Sequence, residues 1–216
     1  MAYQKTKGTE ERKEARQRLI LDAAIKLFGT HGYHATTVPM IVAEAGISTG
    51  SFYMYFSNKE DVFNATLEEI NRAIARVVDD VNRLQPDPLK KIPDGADALF
   101  QYFAENPKQA RILIVESSGL SPRLEMTRRA ILSQLEDKLR RIFESSPSLF
   151  SVKNSIIAAR CIAGATFETA YCWIEEEPQT RMKAADVARI VAKFNTRAVK
   201  KTPRNASAPR FSEVNP

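Results

Sequence analysis

The chain is predicted to be all-helical, with a small N-terminal three-helix unit containing a helix-turn-helix and a larger helical body behind it. Three observations predict this. Apolar residues recur three and four apart through most of the 216 residues, the spacing that gives a helix one apolar face. No long run alternates polar and apolar residues as a half-buried strand would. Glycine is scarce, at 8 residues, and prolines cluster where helical patterns stop.

Residues 1–9 read as a flexible arm. A first helix is expected over Glu10 to Gly29, with Ile20, Ala23, Ala24, Leu27 and Phe28 as its stripe. Thr36 or Thr37 offers a hydroxyl N-cap for a second helix, Val38 to Ala45. Pro39 falls in its first turn, where a missing N–H costs little. Gly46 is suited to the positive φ of a sharp stop. Ser48 is a candidate N-cap for a third helix, Thr49 to Phe56. Ser57-Asn58-Lys59-Glu60 has the form of a capping box that opens a long fourth helix, Asn58 to Leu84. Its seam is Phe63, Thr66, Ile70, Ala73, Ile74, Val77, Val81 and Leu84. Pro86, Pro88 and Pro93 mark a loop. Further helices are expected over Gly95 to Glu105, Pro107 to Ser117, Pro122 to Ser145, Asn154 to Glu176 and Arg181 to Lys201. The tail, 202–216, is proline-bearing and reads as disordered. The expected divisions are an arm (1–9), a helix-turn-helix unit (10–57, motif 36–55), a helical body (58–201) and a tail.

The stretch from Thr37 to Phe56 carries the functional signal: a short helix, a glycine-containing turn and a second short helix. Phe52 and Phe56, four apart, would anchor the second helix. Thr49, Ser51, Tyr53 and Tyr55 remain as hydroxyl-bearing groups, and Gly50 allows close approach to a duplex. Hydroxyls bond phosphates or base edges, and Lys59 is placed to clamp a phosphate. The helix has no Arg, Lys, Asn or Gln, so shape and water-mediated readout carry more weight than bidentate base contacts. The net charge of +6 adds little, since residues 181–216 carry nine basic residues against two acidic ones and residues 1–60 only eight against six.

The pattern resembles the tetracycline-repressor (TetR-type) regulators. The matching residues are Ile20-Leu21-Asp22-Ala23-Ala24, Leu27-Phe28, Gly32-Tyr33, Ala35-Thr36-Thr37-Val38 and Ile41 through Ser48. They continue with Gly50-Ser51-Phe52-Tyr53, Tyr55-Phe56 and Asn58 through Phe63. The resemblance covers about residues 12–70. It implies an all-helical dimer with an N-terminal DNA-binding domain and a C-terminal domain that binds a small effector. It implies DNA-facing positions at Thr37, Thr49, Gly50, Ser51, Tyr53, Tyr55 and Lys59, to which Ser48 is added as the N-cap. Pro39 departs from the pattern, where many members carry a polar or charged residue.

In the helical body, Ile156 to Ile174 is apolar almost all the way round, so more than one side needs covering. The last helix has a stripe of Ala184, Val187, Ala188, Val191 and Phe194. These two helices, about 154–176 and 181–201, are the expected homodimer interface. Candidate effector-lining residues are Phe100, Phe103, Leu113, Glu116, Met126, Phe167 and Tyr171. Ordinary core packing is the competing reading for each, and for Glu116 a carboxylate at a helix end near solvent. Cys161 and Cys172 are expected as buried thiols.

The expected partners are a palindromic double-stranded DNA operator, a second copy of the chain and a small-molecule effector, with no cofactor and no membrane. No apolar run reaches the ~20 residues of a membrane span, and the polar start has no signal-peptide pattern, which places the protein in the cytoplasm. His31 and His34 match no metal spacing, no phosphate-binding glycine loop occurs, and Glu175 to Glu177 read as a solvated run, so no enzyme is expected. The alternatives are a non-specific architectural DNA binder and, behind it, a helical ligand-binding enzyme.

Overall fold

The computed structural model describes residues 7–201, and its elements among these are helices. Residues 1–6 of the expected arm and the tail 202–216 lie outside the described residues, whereas residues 7–9 are helical. Helix α1 spans Lys7–Ala35 and contains a break at Gly32 (φ 81°, ψ 169°). It therefore runs past the expected end at Gly29, and His31 and His34 sit on its last turns. α2 spans Val38–Glu44 and α3 spans Thr49–Tyr53, three residues shorter than the sequence suggests. Gly46 between them has φ 63°, the left-handed conformation that glycine adopts without strain.

α4 spans Lys59–Leu84. Its cap differs from the predicted box: Asn58 Oδ1 accepts from Asp61 N at 2.8 Å, and Asp61 Oδ2 accepts from Ser57 N at 3.2 Å. The reciprocal logic is that of a capping box, shifted by one residue. Leu84, expected in the seam, is 70% exposed at the helix end.

α5 spans Pro88–Glu105, seven residues longer at its start than predicted. Asp87 caps it, Pro88 occupies the first turn, and Pro93 lies inside the helix. A proline inside a helix forfeits one backbone bond. The buried stripe Ile92, Ala96, Leu99, Phe100 and Phe103 outweighs that loss. α6 spans Pro107–Arg111 and passes directly into a π-helical turn, Ile112–Glu116. α7 spans Pro122–Ser145, α8 Ser155–Glu175 and α9 Ala184–Val199.

One apolar cluster runs from Ile20 in α1 to Ala192 in α9, joining the N-terminal helices to the body. α5 lies along α9, α7 along α8, and α4 packs on both α5 and α7. A smaller cluster around Ile142, Phe143, Phe150 and Val199 closes the far end, where Phe150 pairs with Lys200 in an isolated bridge. No helix among the described residues is long and apolar enough to cross a membrane.

α8 buries Ala159, Ile162, Ala163, Thr166, Ala170, Trp173 and Ile174. Its other side is left open, with Ile156 and Ile157 each 52% exposed. Cys161 and Cys172, expected inside, are both exposed on this outer side. Their apolar neighbours in sequence are shared between two faces, and the thiols fall on the uncovered one. α9 likewise buries Val187, Ala188 and Val191 but leaves Ile190 and Phe194 58% and 66% exposed.

Candidate nucleic-acid interface and its link to the body

Local sequence explains how α3 is presented. Ser48 caps it, its side chain accepting from Ser51 N at 3.2 Å. Phe52 is fully buried and Phe56 nearly so, their rings 5.9 Å apart. With these two on the inner face, Thr49, Gly50, Tyr53 and Met54 stand outward, Tyr53 at 54% and Met54 at 80% exposure. Thr37 is exposed, and its hydroxyl makes no cap bond to α2. Met54 escaped the sequence reading because a methionine in an aromatic-rich helix is indistinguishable from a core residue until the helix face is known.

Three expected DNA-facing residues are placed differently. Ser51 is buried, and its hydroxyl has no hydrogen-bond partner among the described residues. The five-residue helix turns it toward the core beside Phe52. Tyr55 is half-buried against the apolar cluster. Lys59 is engaged within the chain: Nζ donates to the Tyr33 carbonyl at 2.8 Å and lies 4.2 Å above the Tyr33 ring. Burial lowers its pKa from the ordinary value. A cation over an aromatic face, hydrogen-bonded to a carbonyl, ties the start of α4 to the end of α1.

The same corner joins this unit to the body. Glu116, the last residue of the π-helical turn, accepts from Tyr33 N through Oε2 at 2.9 Å. Arg111 Nε reaches its other oxygen at 3.3 Å, and Arg111 also pairs with Glu175 of α8. A side chain at Gly32 would meet Glu116 Oε2 at 2.8 Å, and one at Gly29 would meet the Lys108 backbone at 2.8 Å. Two glycines one turn apart thus let α1 lie directly on α6 and the π-helical turn. Tyr33 is also held by edge contacts with Phe63 of α4. Burial, then the charge of Glu60, raises the pKa of its phenol.

The seven expected effector-lining residues do not form one pocket. Phe100 and Phe103 are core residues against Trp173 and Tyr102. Met126 is 73% exposed on the outer side of α7. Glu116 is spent on Tyr33 and Arg111. Leu113, Phe167 and Tyr171 do come together, lining a groove between the π-helical turn, α7 and α8. A separate slot of about 70 Å³ lies between α4, α5, α7, α8 and α9. Its lining includes Lys91, Lys138, Thr166 and Asn195, which the sequence reading missed. These polar residues come from four helices, and nothing in their spacing brings them together.

A capped short helix, clamped by two phenylalanines and turned outward behind a glycine stop, defines a helix-turn-helix domain of the DNA-binding class. Residues 20–66 match the family model described as bacterial regulatory proteins, tetR family. The match is confined to this N-terminal domain, which is therefore similar to the DNA-binding domain of that family. The regulator HbdR of Aromatoleum sp. (strain CIB) is 32% identical over 143 residues, 62% of this chain and 56% of its own. The fatty acid metabolism regulator protein of Bacillus subtilis (strain 168) is 36% identical over 63 residues, 29% of this chain and 32% of its own. The chain thus spans about half or less of the curated relatives it matches. Among solved structures, FadR of Bacillus subtilis in complex with stearoyl-CoA aligns with a TM-score of 0.74 at 22% identity, over 83% of this chain and 97% of that one. FadR of Bacillus halodurans aligns with 0.73 at 22%, over 84% and 94%. At that identity the likeness extends to the fold.

Proposed function

We propose that the protein is a dimeric, sequence-specific transcriptional regulator of the cytoplasm, a repressor released from a palindromic DNA operator by a small-molecule effector. The observation that carries this reading is the presentation of α3. Phe52 and Phe56 hold it from inside, so Thr49, Gly50, Tyr53 and Met54 form an uncovered reading face. Residues 10–57 act as the DNA-reading unit and 58–201 as the effector-binding and dimerising body. Thr37 and Ser48 flank the reading face and complete it.

The dimer reading rests on the uncovered apolar sides of α8 and α9, where Ile157, Ile190 and Phe194 point away from their own core. A dimer buried through them would read two half-sites with its α3 helices about 34–36 Å apart, the spacing of successive major grooves. Effector control is supported by the cavities of the body and by the stearoyl-CoA bound to the similar FadR of Bacillus subtilis. The π-helical turn joins the two ends, since it lines the groove through Leu113 and holds Tyr33 through Glu116.

Selection of bound duplexes from random DNA tests the reading. A recovered inverted repeat, bound far more tightly than random duplex at fixed salt, is expected. Equal affinity for both, differing only in salt slope, would favour a non-specific architectural binder.

A further inference from the structure

Phe167 lines two of the cavities of the body. It lines the slot between α4, α5, α7, α8 and α9, and it lines the groove bounded by the π-helical turn, α7 and α8. One half-buried ring thus borders both spaces. α7 passes along both. It gives Lys138 to the slot and Leu132 and Arg128 to the groove. Ten residues separate Lys138 from Arg128, about 15 Å along a helix.

The charges are unequal at the two ends. No carboxylate among the described residues lines the slot. Its Lys138 is paired with Asp79, which leaves Lys91 as the uncompensated cation of the lining among the described residues. In the groove, Arg128 is held by Glu125, and Glu168 adds a negative charge at the rim. An anion is therefore favoured at the slot end and disfavoured at the groove end. Between them the walls are aliphatic, chiefly Val78, Leu99, Leu135 and Ile162. The fully buried aromatics Phe100 and Phe103 do not line either space. Deep in the slot, Asn195 is 2% exposed and donates to Thr166 Oγ1 at 3.1 Å. At about 70 Å³ the slot has room for a handful of waters. Ligand sites more often occupy roughly 300–1,000 Å³, so a full-length occupant needs the second space too.

We propose that slot and groove are two halves of one site for an unbranched aliphatic chain ending in a single anionic group. Lys91 holds the anion, the chain fills the slot, and a chain long enough displaces Phe167 and emerges against Leu113 of the π-helical turn. The inference deepens the effector reading above. A chain that reaches Leu113 presses on the segment whose last residue holds Tyr33.

Isothermal titration of the full-length protein with sodium alkanoates of six to fourteen carbons, each below its micelle threshold, tests the site. Affinity is expected to rise with chain length and to exceed that of the alcohol of equal length by about tenfold. Lys91→Met should remove that advantage at every length. Phe167→Ala should tighten the longer acids severalfold and leave the shortest unchanged. Far-ultraviolet circular dichroism and thermal melting check that each variant is folded. Dodecanoyl-coenzyme A is titrated alongside, and the tighter of the two dodecanoyl ligands identifies whether the anion is a free acid or its thioester conjugate. Alcohols binding as tightly as acids, or folded Lys91→Met and Phe167→Ala variants with unchanged profiles, would overturn the proposal. Operator affinity is measured separately. If another small molecule releases DNA while alkanoates fail to bind, this site falls and the effector reading stands. If alkanoates bind in the expected pattern without changing operator affinity, the site stands and the effector reading loses this ligand.

Discussion

The carboxylate of Glu116 accepts the backbone N–H of Tyr33, a residue 83 positions earlier, at 2.9 Å. This bond crosses from the body of the protein to the end of the helix that carries the DNA-reading unit. A carboxylate bonded to a backbone donor at a partly buried site is worth more than a neutral pair. Glu116→Ala is expected to lower stability by about 1–2 kcal/mol in urea denaturation. It should also weaken the effect of any bound effector on operator affinity. Full effector response in a folded Glu116→Ala variant would show that coupling takes another route. Gly32→Ala should cost more, because φ 81° disfavours a side chain and the new Cβ would meet Glu116 Oε2 at 2.8 Å.

Phe52 and Tyr53 are adjacent and have opposite duties. Phe52→Ala leaves a cavity in a fully buried site and should destabilise the protein by about 3–5 kcal/mol. Tyr53→Ala removes an exposed ring, and its melting temperature should stay near the parent's. Operator affinity measured by fluorescence anisotropy should fall at least tenfold. Unchanged affinity would mean that α3 does not read DNA with this face.

Ser51 separates the resemblance from the geometry. If the hydroxyl met DNA, removing it would weaken binding. Here it is buried without a partner among the described residues, and such an orphan costs about 1–3 kcal/mol. Ser51→Ala is therefore expected to raise stability by about 1 kcal/mol and leave operator affinity within twofold. A tenfold loss of affinity with unchanged stability would return Ser51 to the interface.

Phe194 is 66% exposed on the uncovered side of α9. A glutamate there would be forced into the proposed contact with a second copy. Phe194→Glu should shift sedimentation toward a monomer at micromolar concentration and reduce operator affinity with it. A variant that remains dimeric would move the interface elsewhere.

Acid stability follows from Asp61, which joins the start of α4 to Arg123 of α7. Hydrogen bonding to Arg123 leads the causes that hold its pKa below the ordinary 3.8. A depressed carboxylate stabilises the fold above its unfolded-state pKa and loses that contribution as pH falls through the folded value. The stability difference between parent and Asp61→Asn should be constant near neutral pH and shrink as pH drops below about 4. A difference that does not change over this range would remove Asp61 as a source of acid sensitivity. The Arg123 partner is exposed and solvent screens the pair, so the difference is small.

What the sequence by itself determined is local. The fold class, the α2–turn–α3 unit, Gly46 as the stop, Ser48 as the cap and Phe52 with Phe56 as anchors all depend on residues within one or two turns of each other. Helix periodicity and capping chemistry make such features legible. Other outcomes depended on distant chain segments. Lys59 met the Tyr33 carbonyl, Glu116 met the Tyr33 amide, and the effector-lining set divided among core, surface and one groove that keeps Leu113, Phe167 and Tyr171 together. Pro93 stayed inside a helix because burial of its neighbours outweighed one lost bond. In each case the deciding partner lies on another helix. Sequence spacing specifies which face a side chain takes on its own helix, and tertiary packing alone specifies what that face meets.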